Sequence, residues 1–173
     1  IEYVAEVVEV AATRLDHAHQ IDLNTEFDLP YAPGYFDAII CGDVLEHLLD
    51  PTESLRRLLP YLAPDGVVVA SIPNVKHWSV VLPLLVQDAW EYTDEGLLDR
   101  THVHLFTMRE SVRMLEAVGL DELVSTDANW IHMKNPKDLE PLVAAASLYG
   151  AKAEDTRQLL NAYQYLLVAR RPA

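Results

Sequence analysis

The sequence predicts a doubly wound α/β domain built on a mostly parallel sheet, and three observations carry that prediction. Ala38-Ile39-Ile40-Cys41, within the stretch Phe36 to Gly42, is an apolar run with a β-branched pair, as expected of a strand buried on both faces of a parallel sheet. Val67 to Ile72 is a second such run. Between them Asp50-Pro51-Thr52-Glu53 opens a helix, with a side-chain acceptor at the cap, proline at the first helical position and glutamate in the first turn. Strand, helix and strand joined by short turns form a right-handed crossover.

The other elements follow in chain order. Val4, Val7, Val8, Ala11, Ala12 and Leu15 recur at helical spacing, which predicts an amphipathic helix packed on one side of the sheet. His19 to Leu23 reads as a short strand with Asp22 near its carboxyl end, and Asn24 to Tyr35, carrying Pro30, Pro33 and Gly34, reads as a loop. Leu55, Leu58, Leu59 and Leu62 form the buried stripe of the central helix, whose last turn Pro60 tightens. Ala63-Pro64-Asp65-Gly66 reads as a turn. An insertion over residues 75–106 follows, rich in large apolar side chains around Trp78 and Trp90 and then in Asp99, Arg100, His102 and His104; it is expected to cover the carboxyl ends of the strands as a lid. Thr107 with Glu110 repeats a capping box, and Gly119 ends that helix. Leu120 to Trp130 and Ala162 to Ala169 are the last two strands, with helices between them at Asp138 to Gly150 and Glu154 to Leu160.

Size and charge bound the function. The 173 residues suffice for a single domain, 1–173, with an ordinary core. Thirteen basic against twenty-seven acidic residues give a net charge of −14, which argues against generic nucleic-acid binding. Cys41 is the only cysteine and sits in an apolar strand, so a reducing, cytoplasmic compartment is expected. The longest apolar run, Val80 to Val86, is too short to span a bilayer. The chain opens on Ile1 rather than Met and its first element is already a helix, so an N-terminal piece is expected to be absent.

The polar residues gather after the first buried strand. Asp43, Glu46 and His47 fall where strand hands over to helix, and ligands bind at that end of an open α/β sheet. Phe36-Asp37 through Asp43-Val44-Leu45-Glu46-His47-Leu48, Leu62-Ala63-Pro64-Asp65-Gly66, Ser71-Ile72-Pro73-Asn74 and Leu98-Asp99-Arg100-Thr101-His102 with Phe106-Thr107 together resemble class I S-adenosylmethionine-dependent methyltransferases, the small stand-alone type associated with glycan or cell-surface biosynthesis. The resemblance implies a Rossmann-like sheet with an antiparallel last strand. It implies S-adenosylmethionine as cofactor, with Glu2 on the ribose hydroxyls, Asp22 and Leu23 along the adenine, and Cys41, Gly42 and Asp43 beside the methionine portion. The family's first strand and its glycine-rich turn have no counterpart, so the N-terminal strand is expected to be missing and the cofactor site half built.

The resemblance implies methyl transfer, most simply to oxygen, on a small-molecule or glycan-like acceptor. A sulfonium methyl is already activated, so the protein must align a nucleophile and remove its proton. Glu46, His47 and His102 are the candidate catalytic residues, with His77 and His104 as further candidate bases. The plainer reading leaves His47 packed at its helix start and Glu46 solvated. A sharper one makes Asp43, Glu46, His47 and His102 the ligands of a divalent magnesium, manganese or iron ion. It draws on the E-x-x-E-H clusters of small-RNA 2′-O-methyltransferases, where a later histidine joins the shell, and of ubiquinone-pathway O-methyltransferases; here the shorter Asp43 replaces the first glutamate. Asp99 with Arg100 is a candidate ion pair holding the lid or a contact for an anionic substrate, and the Trp78 to Trp90 region a candidate core, homodimer interface or substrate wall. Two other functions remain open: a non-catalytic scaffold or remnant keeping the fold, and a nicotinamide-dependent oxidoreductase.

Overall fold

The computed structural model describes residues 1–129 and 139–172. Its centre is a four-stranded sheet of β1 (Phe36–Gly42), β2 (Leu62–Pro73), β3 (Glu122–Asn129) and β4 (Gln164–Arg170), in the order β1-β2-β4-β3. β1 and β2 are parallel, and β4 runs antiparallel to both β2 and β3. This is the expected α/β sheet with its last strand reversed.

The helices form where local signals place them. α1 covers Ala5–Ala12 and α2 covers Pro51–Leu58, whose cap Asp50 accepts a hydrogen bond from the Glu53 N–H at 2.9 Å. Pro60 falls in a single 3-10 turn, Leu59–Tyr61, that ends α2 before β2. α3 (Trp78–Gln87) opens the insertion, α4 (Met108–Glu116) is capped by Thr107, and α5 (Glu140–Leu148) and α6 (Ala153–Asn161) precede β4. Trp130 and Asp138, expected ends of a strand and a helix, lie outside the described residues.

The core lies between β2, β4, α2 and α4. Leu55, Ala70, Ile72, Tyr165, Leu167 and Ala169 are wholly buried there, and Cys41, Leu45, Leu48 and Leu62 pack against them. A second, smaller cluster joins Val143 and Leu160 to Trp78, Val81 and Leu82, so Trp78 is a packing residue between α3, α5 and α6. Asn74 pins the two parts together. Its Nδ2 donates to the carbonyls of Leu159 at 2.7 Å and Ala162 at 2.6 Å, and its Oδ1 accepts from the Tyr165 hydroxyl.

Several expectations need correction. Ala63 to Gly66 is not a free turn; it is absorbed into β2 as a register shift, because Phe36 pairs with Leu62 and Ala38 with Val67. Gly66 is required there, since a Cβ would approach the Leu62 side chain to 2.7 Å and the Asp37 carbonyl to 3.0 Å. His19 to Leu23 is not a regular strand: among the described residues its strand pairing is one isolated parallel bridge, from Gln20 to Glu2. β1 is not buried on both faces, because it is an edge strand whose Ile40 is 74% exposed. Nor does α1 pack on the sheet. None of its residues is buried, and Val7 and Val10 are exposed. Among the described residues, no helix is long and apolar enough to cross a membrane.

Candidate functional site

The site grows from the carboxyl end of β1. Asp43, the residue after the strand, adopts a left-handed conformation with φ 52°, which a non-glycine residue holds only when its surroundings impose it. Here they do. Its backbone N–H donates to the Ser71 carbonyl at 3.3 Å, and its carboxylate accepts from the Ser71 hydroxyl at 3.2 Å and from the Gln164 side chain at the start of β4. Two strands thus fix one carboxylate.

Beside it opens a cavity of about 770 Å³, bounded by Glu2, Asp22, Leu23, Cys41, Asp43, His47 and Thr101 among others. Five of the six expected cofactor contacts therefore surround one hollow. The sixth, Gly42, lies between Cys41 and Asp43 and has open space where a side chain would stand. Glu2 turns one carboxylate oxygen onto the N–H groups of Tyr3 and Val4, at 2.7 and 2.9 Å, and Asp22 accepts from the Asn24 backbone N–H at 2.9 Å. These bonds fix the two acidic residues at the mouth. Burial, reinforced by the charge of Glu46, pushes the Cys41 thiol up to about 11, so this sulfur stays neutral and packs as an apolar group.

Glu46 and His47 belong to a single 3-10 turn, Leu45–His47, rather than to an α-helix. That tighter turn drives the Glu46 side chain inward. It is 1% exposed, not solvated, and both of its carboxylate oxygens are buried without a hydrogen-bond partner among the described residues. Burial raises its pKa to about 7, the nearby charge of Asp43 adds to the rise and its own backbone N–H opposes it. The insertion closes over this turn, for the Val103 and His104 N–H groups both donate to the Glu46 carbonyl, at 2.8 and 3.1 Å.

The same loop brings His102 onto His47, with ring centroids 4.8 Å apart. Ligand atoms of Glu46, His47 and His102 all lie within 4.8 Å of one another. Asp43 is not in that group, which corrects the four-ligand expectation: its carboxylate is turned to Ser71 and Gln164 instead. His104 is not in it either, since its Nε2 meets the Leu49 carbonyl at 3.2 Å. His77 is buried at the cap of α3, where its Nδ1 accepts from the Ser79 N–H at 3.3 Å, away from this group. Arg100 pairs with Asp94 at 2.7 Å rather than with Asp99. Asp99 accepts from the Thr101 hydroxyl at 2.6 Å and from its N–H at 2.7 Å; these bonds, with the nearby imidazoles, hold its carboxyl below the usual range. Ser71, Gln164 and Thr101 were not singled out from sequence. The first two act across strands far apart in the chain; Ser71 and Thr101 lay inside quoted motifs, whereas Gln164 carried no local signal.

A sheet whose reversed last strand lies between β2 and β3, with acidic residues around a hollow at its carboxyl ends, is the architecture of S-adenosylmethionine-dependent methyltransferases. The chain superposes on such an enzyme from Thermotoga maritima with a TM-score of 0.66 at 12% identity, covering 99% of this chain and 72% of that one. It superposes on YcgJ of Bacillus subtilis with a TM-score of 0.57 at 20% identity, covering 99% and 81%. A family model described as a methyltransferase domain matches residues 2–126, and the chain belongs to that family. It is 31% identical over 90 residues to a ubiquinone biosynthesis O-methyltransferase of Aeromonas salmonicida, covering 51% of this chain and 37% of that protein. It is 28% identical over 134 residues to the uncharacterized protein YafE of Escherichia coli, covering 72% and 60%. The chain thus spans less than two thirds of either curated relative.

Proposed function

We propose that the protein transfers the methyl group of S-adenosylmethionine to an oxygen of a small-molecule or glycan-like acceptor. One observation carries this reading: Glu2, Asp22, Leu23, Cys41 and Asp43 bound a single hollow whose far side is formed by His47 and Thr101. In it, Glu2 accepts the ribose hydroxyls, Asp22 and Leu23 flank the adenine, and Cys41 to Asp43 border the methionine portion.

The chemistry asks little of the protein beyond alignment. The acceptor oxygen attacks the methyl carbon in line; the sulfur–carbon bond breaks with its electron pair remaining on sulfur, and the oxygen's proton must leave. The Glu46, His47 and His102 group, at the His47 end of the hollow, is placed to receive that oxygen and its proton.

Calorimetric titration of the full protein with S-adenosylmethionine tests the reading. Saturable binding is expected, weakened at least about tenfold in Asp22→Ala, as loss of a hydrogen bond to a charged acceptor predicts. Failure to bind it would favour a non-catalytic role for this fold, and binding of a nicotinamide dinucleotide in its place would favour oxidoreductase chemistry.

A further inference from the structure

We infer that Asp99 and Thr101 are positioning residues, which together fix the His47 ring in one rotamer and one tautomer, with the proton on Nδ1 and the lone pair on Nε2. The inference rests on the methyl-transfer reading only for what His47 then does, since the arrangement itself is argued from geometry.

One carboxylate oxygen organises the contacts. Asp99 Oδ1 accepts from the Thr101 hydroxyl at 2.6 Å and from the Thr101 backbone N–H at 2.7 Å. A carboxylate returns no proton, so the single hydroxyl proton of Thr101 is committed to Asp99 and its lone pairs are left for His47, whose Nδ1 lies 3.2 Å away. The Thr101 carbonyl lies 3.2 Å from the same nitrogen. Both oxygens can only accept there, so Nδ1 must donate. A tight turn at Asp99 would need the backbone bond alone; a hydroxyl set between carboxylate and imidazole is more than the turn requires.

The same contacts set the rotamer. A half-turn of the ring about its Cβ–Cγ bond would bring a carbon to the place of Nδ1, and a carbon satisfies neither oxygen. The Val103 and His104 N–H groups, both on the Glu46 carbonyl, tie the segment bearing Thr101 to the turn bearing His47. The His102 ring packs edge-on against that of His47, with centroids 4.8 Å apart.

The consequence lies at the other nitrogen. His47 and Thr101 both border the hollow, so a ring held in this way offers its Nε2 lone pair to the hydroxyl of a methyl acceptor. A hydroxyl that donates there has its oxygen held for in-line attack, which is the alignment the transfer needs. Asp99 acts through Thr101, and Thr101 through His47.

The test is nitrogen magnetic resonance of the full protein, isotope-labelled in its histidine rings and kept above neutral pH with a chelator present. Loss of signals in His47→Gln identifies the ring, and couplings between ring nitrogens and carbon-bound protons tell its tautomers apart. The Nδ1–H form is expected in the wild type and in Asp99→Asn and Thr101→Ser, whose side-chain oxygens can make the same bonds. In Asp99→Ala and Thr101→Val the ratio of the Nδ1–H to the Nε2–H form should fall about fivefold, as loss of one hydrogen bond predicts, with circular dichroism checking that each variant folds. A wild-type His47 in the Nε2–H form, or an unchanged ratio in either of those two variants, would overturn the inference. Calorimetry with S-adenosylhomocysteine on the wild-type protein separates the two readings. Its binding with His47 in the Nε2–H form would remove the positioning and leave the methyltransferase, whereas the Nδ1–H form without binding would uphold the arrangement and remove the methyl acceptor from it.

Discussion

The two halves of the hollow are built differently. The wall bearing Asp43 and His47 rises from a sheet in which one face of β2 and β4 is fully buried, through Ala70, Ile72, Tyr165 and Leu167. The wall bearing Glu2 and Asp22 has one parallel bridge and a helix with no buried residue, and is tied to the rest by single bonds, the Ser54 hydroxyl to the Leu23 carbonyl and the Leu49 N–H to Asn24 Oδ1, both at 2.8 Å. The Asp43 end is therefore fixed by non-local packing and hydrogen bonds across the sheet, and the Glu2 end by a few contacts made close to the hollow.

The comparison can be broken most forcefully by truncating a side chain in each half. Leu167→Ala should cost about 2–5 kcal/mol in denaturant unfolding, because it opens a cavity in a fully packed strand. Val7→Ala, on the exposed face of α1, should stay within about 0.5 kcal/mol. Equal losses would mean that α1 is packed in solution. Asn74→Ala comes next, at about 1–3 kcal/mol, since it leaves the buried carbonyls of Leu159 and Ala162 and the Tyr165 hydroxyl short of a partner.

A pH profile sharpens the same contrast. Burial lowers the His77 pKa from 6.5 to about 4, and its Nδ1 accepts the Ser79 N–H in the neutral form. A histidine whose folded pKa is depressed contributes stability above its unfolded value and loses it on acidification, so unfolding free energy should fall between pH 6.5 and 4. In His77→Gln that part of the slope should vanish. An unaltered slope would show that His77 is not held neutral. The smallest expected effect is at the surface: Arg170→Ala removes an exposed pair with Glu122 and should cost about 0.2–1 kcal/mol in the same unfolding measurement.

What the sequence revealed follows the same division. The caps at Asp50 and Thr107, the two apolar runs and the end of α4 at Gly119 were legible because each depends on residues within one or two turns of chain. The exposure of Ile40 and of α1 was not, because apolar spacing states which face seeks cover and not whether cover exists. The site divides likewise. Asp43, Glu46 and His47 stood out as a polar break after a buried strand, and His102 as part of a charged run. The burial of Glu46 depends on a 3-10 turn and on a loop more than fifty positions later, and the clamp on Asp43 comes from Gln164 across 121 positions. Pattern within a window cannot carry such contacts.

The most direct measurement is photolabelling. Ultraviolet irradiation of the full protein with methyl-tritiated S-adenosylmethionine, followed by peptide mapping, should place the label in residues 1–24 or 39–47, the segments that bound the hollow. Excess S-adenosylhomocysteine should suppress it. A label in α5, α6 or the exposed part of α3, or one indifferent to the competitor, would contradict the assignment of this hollow to the methyl donor.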